Sequence, residues 1–199
     1  MSAEHRCAYL LASLAVFLIS GAVSKRSLTG DLIELSAFLL VMITAVASMA
    51  EHRLARVVGM ILALPFVAAY LLAYANDPRM SDRPSLVAAA ASLPFMVLSF
   101  WTTFTYTIRR APITTDRMFG AAAAFLLMAV AWAGLYAVAE LVQPGSFRTP
   151  PELATVVLND LTYFSMVTQT TLGYGDITPA RKLARSFAML QSRAGIFYM

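Results

Sequence analysis

Charged side chains are scarce in this chain, at 13% of 199 residues, while 59% are hydrophobic; an average soluble domain has about a quarter charged and about half apolar. That shortage excludes an ordinary soluble enzyme domain. Cysteine is confined to Cys7, which rules out an intramolecular disulfide and a cysteine-based zinc site; the plain reading is a small apolar residue at a span end. The histidines, His5 and His52, also sit at span ends without a second ligand at helical spacing, so both read as solvated. Lys and Arg number 15 and leave a net charge of +4, but they never form the basic block that binds nucleic acid. They flank apolar segments, and no nucleic-acid partner is expected. Neither His-Glu-x-x-His nor Gly-x-Ser-x-Gly occurs, so no enzyme activity and no cofactor are expected.

What the chain does have is long charge-free runs. A hydrocarbon layer about 30 Å thick needs about 20 uncharged helical residues, and such runs fall at 7–24, 35–50, 57–76, 84–108 and 118–139, with a shorter one at 161–175. Four or five of them can cross a bilayer, and the polar connections at 24–31, 51–56 and 76–84 are too short to fold alone. The sequence therefore predicts an all-α, multi-pass membrane protein with the lipid bilayer as its surroundings. Arg6, the apolar run after it and the small residues Ser20, Gly21 and Ala22 could also serve as a cleaved leader. A retained helix is preferred, because the rest of the chain is itself membrane-embedded.

Leu64-Pro65-Phe66 and Leu93-Pro94-Phe95 place a proline inside the third and fourth runs, where a helix bends and lipid-facing neighbours tolerate it. The fifth run carries Gly120, Ala124, Ala131 and Gly134, small residues that allow close helix packing. After Glu140 the pattern changes. Gln143-Pro144-Gly145-Ser146 and Thr149-Pro150-Pro151 break the helix. Asn159 or Asp160 is then suited to cap a helix running to Thr170, about 12 residues and about 18 Å long. That is too short to span. It suits a re-entrant segment, whose non-helical continuation must be buried in protein or line water.

The continuation is Thr170-Thr171-Leu172-Gly173-Tyr174-Gly175-Asp176, preceded by Tyr163-Phe164-Ser165-Met166-Val167-Thr168-Gln169. This stretch resembles the pore helix and selectivity filter of potassium channels, with Leu172 in place of the commoner Val. The resemblance extends through Ala111-Pro112-Ile113-Thr114-Thr115-Asp116, the Trp132 to Glu140 segment, Pro144-Gly145-Ser146-Phe147, and Ile177-Thr178-Pro179 through Leu183-Ala184-Arg185-Ser186 to small bacterial channels with six spans. It implies a four-helix transmembrane region over 1–110 and a pore domain over 111–199, made of outer helix, re-entrant pore helix, filter and short inner helix. It further implies K+ as permeant ion at Thr171, Leu172, Gly173 and Tyr174, with Gly175 completing the filter. Asp176, Tyr163, Thr168 and Thr170 then support the filter, Gly195 is a hinge of the inner helix, and four chains form one pore. The family's orientation puts both termini in the cytoplasm of a cell-membrane protein, and arginines at 6, 53, 56, 109, 110 and 117 agree with it modestly.

Physical reasoning runs the same way. Carbonyls that all face one axis need backbone angles alternating in sign, which Gly173 and Gly175 permit at little steric cost. Leu172 and Tyr174 should then point away and brace the loop, Thr171 should add a hydroxyl, and the preceding helix should aim its carbonyl end at the ion. Voltage-gated relatives carry regularly spaced arginines on the fourth helix; 84–108 has no charge, so no such sensor is expected and Arg109-Arg110 read as an interfacial anchor. The inner helix departs from the pattern, being short up to Met199 and carrying Arg193. An arginine from each of four chains facing a cavity would repel K+ by about 2 kcal/mol each at roughly 8 Å and an effective dielectric of about 20. The expectation is a passive K+-selective channel subunit; the alternative is a non-conducting or regulatory subunit with an incomplete inner helix.

Overall fold

The computed structural model describes residues 5–23, 28–49, 53–76, 82–109, 112, 114–150 and 156–199. His52 and Arg110 lie outside them, whereas His5 is exposed. The elements in order are α1 (Arg6–Val23), α2 (Leu28–Ser48), α3 (Arg53–Asn76), α4 (Asp82–Ile108), α5 (Thr115–Val142), β1 (Phe147–Arg148), α6 (Leu158–Gln169), β2 (Thr178–Pro179) and α7 (Lys182–Tyr198). Pro65 and Pro94 both sit inside continuous helices, α3 and α4. Among the described residues three helices are long and apolar enough to cross a membrane, over Arg53–Leu72, Ser85–Ile108 and Thr115–Val142. The apolar parts Arg6–Gly21 and Leu32–Ser48 are shorter. The four or five spans expected from charge gaps are thus three full-length ones and two short apolar helices.

Packing divides the chain into two compact units, one of residues 1–64 and 94–128 and the other of residues 65–93 and 129–199, so the division passes through α3, α4 and α5. In the first unit, α1 packs on α2 through an edge-to-face pair, Phe17 and Phe38, with centroids 5.3 Å apart. A Ser13–Thr44 hydroxyl contact of 2.7 Å joins the same two helices. Cys7 is buried and reduced, and its N–H donates to Asp116 Oδ1 at 2.9 Å. Arg117, expected at an aqueous boundary, is buried instead. Its guanidinium donates to the carbonyls of Pro112, Tyr106, Thr107 and Arg109 and lies over the Tyr106 ring. It thereby satisfies the carbonyls that α4 leaves unpaired at its end.

The second unit centres on Tyr136 of α5, which is fully buried against Phe147 and Phe164 with ring centroids 5.5 and 5.0 Å away. Leu86, Ala89, Ala133, Ala137, Leu161, Ile177 and Ala184 complete the cluster. Gly134 lets α5 approach α4: a Cβ there would stand 3.4 Å from the Ala89 carbonyl oxygen. The strands pair antiparallel, Phe147 with Pro179 and Arg148 with Thr178. This two-residue ladder was not legible in the sequence, and it has a topological consequence. The chain leaves at 148 and returns at 178 beside its point of departure, so the segment carrying α6 and the loop after it begins and ends at one place.

Candidate functional site

The site begins with how α6 is started. Its N-cap residue is Val157, in extended conformation, and valine has no oxygen to offer the first turn. Asp160, at the third helical position, reaches back and accepts the Val157 N–H at 3.0 Å. The cap expected from Asn159 or Asp160 is therefore supplied by Asp160 from inside the helix, with its negative charge in the first turn where the helix dipole favours it. α6 then runs for 12 residues.

The other end closes by a Schellman arrangement. The Leu172 N–H donates to the Val167 carbonyl at 3.0 Å and the Thr171 N–H to the Thr168 carbonyl at 3.1 Å, with a left-handed residue between helix and loop. That residue is Thr171, at φ 58°. Glycine is the usual occupant, because a β-carbon costs about 1–2 kcal/mol in this region. Among the described residues Thr171 is the sole non-glycine at positive φ. Gly173 follows at 60° and Gly175 at 78°, while Leu172 and Tyr174 keep negative φ. The sign of φ thus alternates at every residue from 171 to 175. Alternation was expected at the two glycines; that it begins at a β-branched threonine was not.

Added side chains at the glycines would meet little. A Cβ at Gly173 has nothing within 4 Å, and one at Gly175 only the Gly173 carbonyl oxygen at 4.0 Å. Glycine is needed there for its backbone angle and not for space. Leu172 and Tyr174 are 56% and 67% exposed on the single chain. Thr170 is exposed and returns its hydroxyl to the Met166 carbonyl at 2.8 Å, and Thr168 contributes its carbonyl to the helix closure. The carbonyls of Met166, Val167 and Thr168 are all taken by amides of residues 170 to 173. The open carbonyl end expected of α6 is accordingly mostly occupied by its own loop.

Beyond the glycines the loop is tied to α6 by Tyr163, whose hydroxyl donates to Asp176 Oδ2 at 2.7 Å. That bond holds the Asp176 carboxyl below its ordinary range and raises the Tyr163 hydroxyl above its own. Gly195 lies against α6: a Cβ there would lie 2.2 Å from the Gln169 carbonyl oxygen. Its place in the fold is a helix-to-helix contact. Arg193 is exposed.

Two contributors escaped the sequence reading. Glu140 receives the Gly145 and Ser146 N–H groups at 2.8 and 2.9 Å on its two carboxylate oxygens, closing the turn that leads into β1. Gln191 of α7 is fully buried and bonded to α5 and α6. Nothing in the sequence signals the second, since Ser192 and Arg193 follow Gln191 directly.

Residues 124–199 match a protein family described as Ion channel. The match covers α6, the loop and α7 whole and most of α5, so the chain is an all-α membrane protein whose C-terminal part is similar to an ion-channel domain. The helices before residue 124 lie outside the match. No curated protein matches the chain, and no solved structure does.

Proposed function

We propose that the chain is a potassium-selective channel subunit that conducts K+ passively as a homotetramer in the cell membrane, with its termini cytoplasmic. The observation that carries this reading is the unbroken alternation of φ sign over 171–175. In such a backbone successive carbonyls turn to one side. The carbonyl oxygens of Thr171, Leu172, Gly173 and Tyr174, with the Thr171 hydroxyl, then form the rings that replace the water around K+. A single chain supplies one edge of each ring, so the site is complete only when several copies surround one axis. The exposure of Leu172 and Tyr174 supports this, since both are large side chains that neighbouring copies would cover.

Within each chain the parts act in sequence from the residues upward. Strand pairing sets where the excursion starts and ends, α6 sets its depth, the helix closure at Thr171 sets its direction, and the Tyr163–Asp176 bond holds its outer end. No proton or covalent step is involved; K+ exchanges water for carbonyl oxygen and back again. Arg193 is exposed on α7; where it faces the ion path it favours the alternative of a non-conducting or regulatory subunit, because a cation there opposes K+ entry. Purified protein in K+-loaded liposomes decides between them. K+ efflux in excess of Na+ efflux is expected, and absence of cation flux would leave the accessory-subunit reading in its place.

A further inference from the structure

Gln191 stands on α7 four residues before Gly195, and its side chain is wholly buried. Both ends of its amide are used. The Tyr136 hydroxyl donates to Oε1 at 2.5 Å. Nε2 donates to the Ser165 carbonyl at 3.0 Å and the Ser165 hydroxyl at 2.6 Å, with Gln169 Oε1 a further 3.3 Å acceptor. Ser165 Oγ passes the chain on, donating to the Ala129 carbonyl at 2.6 Å. The donors therefore run in one direction, Tyr136 to Gln191 to Ser165 to Ala129, and each hydroxyl is used consistently. One turn along α7, Gly195 abuts the backbone of Gln169. The contacts fall on the C-terminal part of α6, at Ser165 and Gln169, ahead of Thr170 and the left-handed Thr171.

Packing alone does not ask for an amide here. Methionine or leucine would fill comparable volume, whereas a buried amide is costly unless every polar atom is satisfied and rewards one geometry when it is. We propose that Gln191 is a positioning residue for ion selection: from α7 it fixes the rotation and depth of the last turn of α6, and thereby the point at which Thr171 turns the backbone into the ion path. The proposal rests on the reading of 171–175 as that path. It gives the α7 amide a role in selectivity although it never meets the ion. Tyr136 is the titratable side chain that faces Gln191 in this network; Ser165 and Gln169 from α6 are neutral.

The test compares K+ and Na+ flux in liposomes for the wild type, Gln191→Met and Gln191→Glu. Gln191→Met should keep its helix content and assembly while its K+/Na+ flux ratio falls by about tenfold, the equivalent of one buried hydrogen bond. Gln191→Glu should be selective at acid pH, where its carbonyl oxygen accepts from Tyr136 and its protonated oxygen donates to Ser165. It should lose selectivity as pH rises through a carboxyl pKa raised by burial, while the wild-type ratio stays flat over the same range. A wild-type ratio retained in Gln191→Met, or a pH-independent ratio in Gln191→Glu, overturns the positioning role and leaves the channel reading intact. If Gln191→Met fails to assemble, the pH series on Gln191→Glu decides. Wild-type vesicles that show no K+ preference remove the ion-path reading and this proposal with it.

Discussion

Hydroxyls in α1 through α4 mostly turn back on their own helices. Ser20, Ser36, Ser48, Ser92, Ser99, Thr102 and Thr105 each donate to a carbonyl three or four residues earlier. Among the described residues, the Ser13–Thr44 contact and the Tyr106 hydroxyl's bond to Asp116 Oδ2 do reach a second helix. From residue 129 onward the polar side chains cross between elements: Gln191 to Ser165, Tyr136 to Gln191, Tyr163 to Asp176, Glu140 to the amides of 145 and 146. A continuous helix satisfies its own backbone, so lipid asks nothing of its hydroxyls except that they be quiet. A chain that leaves helical geometry at membrane depth has amides and carbonyls to satisfy, and specific side chains from other elements must hold it there.

Gly195→Ala should break this contrast most severely. Its Cβ would stand 2.2 Å from a backbone oxygen that cannot rotate away, and forcing α7 off α6 costs about 3 kcal/mol or more. The counterpart Gly59→Ala meets the flexible Met49 sulfur at 3.2 Å and should cost less than about 1 kcal/mol. Thermal melts of the detergent-solubilised protein compare the two, and equal losses would erase the distinction.

Next in size are Gly173→Ala and Gly175→Ala. Each opposes a positive φ at about 1–2 kcal/mol and should abolish K+ preference in bi-ionic recordings. Gly145 sharpens the point. Its φ is 76° and its surroundings are open, so Gly145→Ala bears the same backbone cost yet should leave selectivity alone. A K+-selective Gly173→Ala channel would remove 171–175 from the ion path.

Tyr163→Phe should have a smaller effect, shortening open-state lifetime a few-fold without dispersing the assembly. The pH dependence of that tether follows from its two shifts. Asp176 is lowered, so its contribution is present above the ordinary carboxylate range and is lost only as acid passes its depressed value. Tyr163 is raised, so the donor survives beyond the ordinary tyrosine range. Gating should therefore be insensitive to this bond between about pH 4 and about pH 10. A Tyr163-dependent change near neutrality would count against it.

The smallest effects belong to exposed or self-bonded positions. Ser48→Ala and Arg193→Ala should each alter stability by no more than about 0.5 kcal/mol. Arg193→Ala should still raise single-channel K+ conductance if the arginine lines the pore, and an unchanged conductance assigns it to lipid or a neighbouring chain.

Much of this was legible in the sequence. Gaps between charges located the helices, Pro65 and Pro94 were correctly placed within them, and the length of α6 followed from a polar start and a glycine-bearing end. What could not be read depends on contacts distant in sequence or against local preference. A valine N-cap held by Asp160 runs backward to the usual signal. A threonine in left-handed conformation contradicts its own propensity. Arg117 looked like a boundary charge because its carbonyl partners lie 5 to 11 residues away across a turn. Gln191 meets Tyr136 across 55 residues, and no periodicity announces such a pair.

The helix closure at Thr171 also divides the loop by its protection from exchange with water. The amides of Thr171, Leu172 and Gly173 each have a carbonyl of α6 to bond, while those of Tyr174 and Gly175 have none among the backbone bonds of the described residues. Deuterium should therefore enter the outer two positions of the isolated chain first and the inner three late. The inner half of the loop is thus held by backbone bonds to α6, whereas its outer end is held by a side-chain bond, Tyr163 to Asp176, that one substitution can remove.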